Sequence, residues 1–190
     1  MTVHVPKFGD IAIERLRSGK LIMRDSIGFL GWVKAVCYDY MGRKKWEDEG
    51  PNIVVNVGLD YFLQVGVNGS GVQAQINPFY VGLLDDTPTV AAADTHSSHA
   101  GWVEATGYSG TNRLDWGEGN ASSQSVTNST SVDFSMTATD TIGGAYLTED
   151  QAHATTTGLL LAARAFSGGD QAVVNGDTLA VTYTINATTS

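Results

Sequence analysis

Asp94, His96 and His99 fall within the nine-residue stretch DTHSSHAGW (94–102), and histidines spaced i, i+3 beside a carboxylate are the side chains a zinc ion takes on a loop. A structural or catalytic zinc needs a third or fourth ligand at fitting spacing, and the neighbourhood offers none: His4 and His153 are distant in sequence. The same residues read more simply as a polar loop whose Trp102 opens the next strand by burying its indole. No metal and no cofactor are therefore expected.

Other constellations lead the same way. Glycosidase chemistry needs two acids facing each other across roughly 5–10 Å, and the adjacent pairs Asp85-Asp86 and Glu149-Asp150 fall in turn-like segments where solvated acids are common. The chain has no Gly-x-Ser-x-Gly elbow, no P-loop and no His-Glu-x-x-His pair. Ser, His and Asp are plentiful, yet no spacing selects a triad. Trp32, Trp46, Trp102 and Trp116 are spread among strand-like runs, where core packing is the common fate of an indole. An enzyme is not expected; a β-sandwich polysaccharide hydrolase is the one enzymatic reading that survives. A binding reading uses Tyr80, Trp102, Tyr108 or Trp116 as exposed platforms for a host-surface glycan.

The elements that would position these residues are mostly strands. In 190 residues there are 22 Gly and 4 Pro, and Thr, Ser and Val recur, a composition of extended segments joined by polar turns. FLGWVKAVCYDY, the turn Met41-Gly42 and RKKWE predict a hairpin. In NIVVNVGLDYFLQVGVN the apolar period changes to about 3.6. This predicts one helix near 56–66, capped by Asn56, with Val57, Leu59, Phe62 and Leu63 on its apolar face and Gly66 or Gly69 as its stop. PFYVGLL predicts a buried strand. WVEATGY, NRLDW, SSQSVTN, SVDFSMTAT, TIGGAYL, TGLLLAARAF and DTLAVTYTINA follow as short strands; Val132, Phe134 and Met136 share one face, as do Leu179, Val181, Tyr183 and Ile185. Seven to nine strands at this spacing predict a mainly β fold, an antiparallel β-sandwich of jelly-roll type over residues 29–190. Residues 1–28 show no clean period and read as an extended N-terminal arm.

Charge divides the chain at about the same place. Nine of the 11 Lys and Arg lie at or before Lys45 against seven acids up to Pro51, a net +2, whereas residues 52–190 hold two cations against 13 acids, a net −11. A body so acidic repels a polyanion, so nucleic acid is not an expected partner. Cys37 is the single cysteine, which excludes an internal disulfide framework and a thiolate zinc cluster. The N-terminal MTVHVPKFGDIAIERLRSGK has no long apolar stretch before a cleavage site, and no run of about 18 apolar residues occurs. Neither export nor membrane insertion is expected.

Taken in order, NIVVNVGLDYFL (52–63), PFYVGLLDDTP (78–88), ADTHSSHAGWVEATGY (93–108), NRLDW (112–116), TIGGAYL (141–147) and GDTLAVTYTINA (176–187) resemble small β-rich virion proteins of tailed bacteriophages, of the capsid cement or decoration type. The order of the segments carries the resemblance, and it leaves the first 50 residues outside. It implies that SHAGW leads into a strand, with Trp102 a packing residue and His96 an incidental part of the loop. It further implies a protein that binds the assembled head and bridges major capsid subunits, made in the host bacterial cytoplasm and carried on the capsid surface. Copies of itself, as a dimer or trimer, are a second expected partner. The charge division and the change of texture near Phe29, and not the resemblance, suggest that the arm orders on the capsid, with Arg15, Arg17, Lys20 and Arg24 meeting acidic patches and Ile11, Ile13, Leu16, Leu21 and Ile22 filling apolar grooves. The alternative is a tail or head-fibre component that binds a receptor.

Overall fold

The structure, a computed structural model, describes residues 12–15, 21–24, 27–68 and 73–189. In chain order the strands are β1 (Ala12–Arg15), β2 (Leu21–Arg24), β3 (Ile27–Tyr38), β4 (Lys44–Val54), β5 (Tyr80–Asp85), β6 (Val103–Ala105), β7 (Leu114–Asp115), β8 (Ser125–Thr127), β9 (Val132–Ser135), β10 (Asp140–Ile142), β11 (Gly144–Thr148), β12 (Leu160–Ala165), β13 (Gln171–Val173) and β14 (Thr178–Thr189). One α-helix, α1 (Asn56–Leu63), continues into a π-helical turn at Gln64–Asn68. The fold is mainly β, as the composition predicts.

Ten strands form one antiparallel sheet in the order β6-β5-β11-β12-β4-β3-β14-β8, with β7 also on β5 and β9 also on β14. The sheet curls until its ends meet. Chain leaving β6 bridges chain leaving β9 at Tyr108 and Met136, and Glu118 bridges Asn128 beyond β7 and β8. These contacts cover strand edges that would otherwise offer unpaired backbone groups. The interior is filled by alternate residues: Val132, Phe134 and Met136, and Leu179, Val181, Tyr183 and Ile185, are all buried, so both alternation patterns legible in the sequence mark core faces. A second, smaller cluster lies on the outer side of the sheet, where Val55, Leu84, Tyr146, Leu160 and Ala163 are covered by Val57, Val90 and Trp102.

The predicted hairpin is β3–β4. Its turn is set by Asp39, whose Oδ1 accepts the N–H groups of Met41 and Arg43 at 2.9 and 3.0 Å, and by Gly42 at φ +76°, a conformation only glycine adopts without strain. The returning strand runs well past RKKWE, to Val54. Its inward residues are Asp48, Gly50, Asn52 and, at its end, Val54, and the first three form an alternation in polar and small residues that hydrophobic periodicity does not register.

The predicted helix is present, with a different start. Val55 is the cap and no side chain caps the first turn; the Asn56 N–H donates to the Ala92 carbonyl at 2.8 Å instead. Leu59 and Phe62 pack on the core as expected, whereas Leu63 is exposed. Gly58 faces the sheet because a Cβ there would come within 2.3 Å of the Leu161 carbonyl.

The arm expected over residues 1–28 contains an antiparallel pair, β1 with β2, in which Ala12 faces Arg24 and Arg15 faces Leu21. Among the described residues, no helix is long and apolar enough to cross a membrane.

Candidate functional site

The loop that carries Asp94, His96 and His99 packs on the outer face of the sheet and closes a cavity of about 150 Å³. Leu84 of β5 and Tyr146 of β11, both buried, are part of its lining. Their side chains point outward from the sheet because they alternate with the inward Leu83, Ala145 and Leu147 along the strands. Trp102 forms one wall, with the His99 imidazole stacked on its indole at 4.6 Å between ring centroids and 26° between planes. The indole N–H donates to the Thr89 carbonyl at 3.2 Å, tying the wall to the start of the loop.

Asp94 does not turn toward the histidines. Its Oδ2 accepts the Ala91 N–H at 2.8 Å, closing a local turn. His96 is 3% exposed. Its Nδ1 lies against the Thr157 carbonyl and 3.2 Å from the Thr148 hydroxyl. A carbonyl only accepts, so Nδ1 carries the proton and Nε2 is the acceptor of the neutral ring. Burial lowers the pKa of His96, outweighing the opposing hydrogen bond to Thr157. His96 is thus a pin between two loops, which corrects its reading as an incidental loop residue. Among the described residues, no three His, Cys, Asp or Glu side chains come together as metal ligands; His153 lies elsewhere, its Nε2 2.7 Å from the Tyr108 hydroxyl.

Sequence reasoning missed the centre of this site, Arg113. It is 2% exposed and directs its guanidinium at Glu104, Tyr146 and the carbonyls of Asp150 and Thr155. The signal in the sequence was its isolation: Arg113 and Arg164 are the only two cations after residue 51, and both are buried against acids. Arg164 pairs with Asp48 inside the curled sheet, and Gly50 leaves room for it, since a Cβ at that position would lie 2.7 Å from Nη2.

The acid pairs cap turns. Asp85 accepts the Thr141 hydroxyl at 3.0 Å, and Glu149 accepts the Leu159 N–H at 3.0 Å. Asp150 accepts from Thr155, Thr157 and the Ala152 N–H. Burial opposes ionisation of Asp150, but these hydrogen bonds and Arg113 outweigh it and bring its carboxyl down to about 2. Of the aromatics considered as glycan platforms, Tyr108 and Trp116 are core residues; Trp116 donates its indole N–H to the Tyr183 carbonyl at 3.0 Å. Tyr80 and Trp102 are partly exposed and line surface depressions.

A second region of interest is the outward face of β3 and β4. Leu30 (41% exposed), Trp32 (44%) and Ile53 (38%) stand there with Pro51, and Trp32 lies directly across from Pro51. β3 begins three residues after β2 ends, so this apolar strip follows the N-terminal segment closely in the chain. Of the residues expected to contact a capsid, Ile13, Arg15, Leu21, Ile22 and Arg24 belong to β1 and β2, while Ile11, Leu16, Arg17 and Lys20 lie outside the described residues.

No family model matches the chain, and no curated protein or solved structure matches it either.

Proposed function

We propose that this chain is a capsid cement protein of a tailed bacteriophage, which adds contacts between neighbouring major capsid subunits of the assembled head. The observation that carries the reading is the strip of Leu30, Trp32, Pro51 and Ile53, exposed on the outward face of β3 and β4 in a chain whose N-terminal segment is basic. Apolar side chains grouped on an outer face, beside charge of the sign opposite to the body, are what a docking surface requires. In this reading the curled sheet is a two-layer sandwich, β3, β4, β8, β9 and β14 forming one layer and β5, β6, β7, β11 and β12 the other. The buried chemistry favours the same conclusion: both cations after residue 51 are paired with acids, and the acids of the turns accept from backbone and hydroxyl donors.

Avidity makes a small contact sufficient. A standard interface buries roughly 1,600 Å², and many equivalent sites on one shell multiply its effect.

Co-sedimentation with emptied heads of the encoding phage tests the proposal. The full chain is expected to pellet with heads, and both deletion of residues 1–25 and Trp32→Glu are expected to leave it in the supernatant. Undiminished pelleting of both variants, or a chain absent from purified virions, refutes it.

A further inference from the structure

Residues 89–102 lead from β5 to β6 across the outer side of the sheet and cover part of the smaller apolar cluster there. Val90 and Trp102 pack on a group that includes Leu84 of β5, Tyr146 of β11 and Leu160 of β12. Few hydrogen bonds hold the segment down. Most of its own are local: Asp94 with Ala91, Thr95 with Ser98, and the Trp102 indole N–H with the Thr89 carbonyl. Among the described residues, those that leave it are the Asn56 N–H on the Ala92 carbonyl, at 2.8 Å, and the contacts of His96 Nδ1 with the Thr157 carbonyl and the Thr148 hydroxyl. One of its two ties is therefore a titratable ring.

The closed arrangement suits only the neutral ring. Nδ1 already donates, so a second proton enters at Nε2 of a residue that is almost wholly buried. Around it stand Arg113, before β7, and Glu104 of β6, paired with each other; Tyr146 of β11, its hydroxyl bonded to Arg113; and Asp150, after β11, which accepts from Thr155 and Thr157. Its own loop adds His99, and Asp94, which accepts the Ala91 N–H. Every carboxylate among them already has donors. Burial disfavours the imidazolium most, against the pull of the Thr157 carbonyl and Asp150, and the Arg113 charge adds to it. Where the segment lifts away, the same charge is hydrated and ordinary.

We infer that residues 89–102 are an acid-released cover: uptake of a proton by His96 frees the segment from Thr148 and Thr157 and bares the apolar outer face of β5, β11 and β12, while the curled sheet stays folded. This face is distinct from the one proposed for capsid docking, which lies on β3 and β4.

Hydrogen exchange on the full chain at pH 7.5 and 5.5, corrected for the intrinsic pH dependence of amide exchange, is the test. The Asn56 amide reports on the cover, because its acceptor is the Ala92 carbonyl, and the β14 amides report on the sheet. Protection at Asn56 is expected to fall several-fold at the lower pH, with a ceiling of about tenfold per pH unit below the ordinary histidine value of about 6.5. Protection in β14 is expected to hold, and the apolar dye ANS to bind only at the lower pH. His96→Gln, which keeps an N–H for the Thr157 carbonyl, is expected to abolish the pH dependence. If that variant does not fold, the wild-type chain decides alone, since the His96 ring must then titrate by NMR below about pH 6.5. Equal protection at the two pH values overturns the inference, as does an ordinary or raised His96 titration. A loss shared by β14 also overturns it, because that is global unfolding, and so does a loss that His96→Gln retains.

Discussion

Arg113 and Glu104 form a two-pronged ion pair: Nε–H meets Oε1 at 2.7 Å and Nη2–H meets Oε2 at 2.9 Å, with the arginine side chain 1% exposed and the glutamate 14%. The pair joins the strand after the histidine loop to the segment leading into β7, and the Asp150 carbonyl, 2.9 Å from Nη1, ties in a third segment. Removing one member of a buried pair strands the other charge away from water.

Arg113→Met is accordingly expected to cost roughly 3–5 kcal/mol in urea unfolding, most of it from the orphaned Glu104 carboxylate. The double variant Arg113→Met with Glu104→Leu is expected to recover most of that loss, because an apolar pair has no unpaired charge to desolvate. A double variant as unstable as the single would show that Arg113 matters through its carbonyl contacts and not through Glu104.

His96 predicts a pH dependence. Its folded pKa lies below the ordinary value because burial disfavours the imidazolium. Below about pH 6.5 the unfolded chain gains a proton that the folded chain refuses, so the stability this site contributes is present above that pH and is lost as pH falls. The melting temperature of the wild-type chain is expected to drop on going from pH 7.5 to 5.5. His96→Gln, an uncharged side chain with its own N–H for the Thr157 carbonyl, is expected to show a shallower drop over the same range. Identical pH profiles would mean that His96 ionises freely in the fold.

Legibility from sequence followed apolar alternation. β9 and β14, which bury Phe134, Leu179, Val181 and Tyr183, were plain because their inward residues are large and apolar. The second half of β4 was not, because it buries Asp48, Gly50 and Asn52, and the fitness of Asp48 and Gly50 for the interior comes from Arg164, a partner 116 residues away from Asp48 in the chain. β13 was invisible for another reason: three residues, Gln171–Val173, hold their place by pairing with β10 and by the Trp46 indole N–H on the Ala172 carbonyl. The histidine loop stood out by residue type, yet its centre is Arg113, and a lone arginine carries no local pattern. The curl of the sheet depends on bridges such as Tyr108 to Met136, which no local periodicity encodes.

That hidden polar row yields a sharp packing prediction. Gly31 on β3 faces Asn52 on β4, and a Cβ on Gly31 would fall 1.6 Å from Asn52 Oδ1. Gly31→Ala is expected to cost about 1–3 kcal/mol, the range for overpacking a filled interior. In the double variant with Asn52→Ala the new methyl takes space vacated by the amide, so the two costs should fail to add, with a coupling of at least about 1 kcal/mol in a double-mutant cycle by urea unfolding. Additive losses would mean that the side chain of Asn52 can leave the Gly31 face at little cost.

Cys37 supplies the last prediction, on exchange and not on equilibrium. The thiol is fully buried on β3, 3.8 Å from Asp177 Oδ2, and burial together with that carboxylate pushes it up to about 11. Thiolate is the reacting form, and at pH 8 a group titrating near 11 is ionised at roughly the 0.1% level, besides being out of reach of any reagent. β3 is also held on both sides, by β14 along its whole length and by β4 over eight register positions, so it belongs to the part of the molecule that opens last. Labelling of native protein by a water-soluble disulfide reagent is therefore expected to require global unfolding, its rate rising with urea in parallel with the unfolding rate. Rapid labelling in native buffer, insensitive to urea below the transition, would mean that the β3–β14 ladder opens locally while the rest of the sheet stays folded.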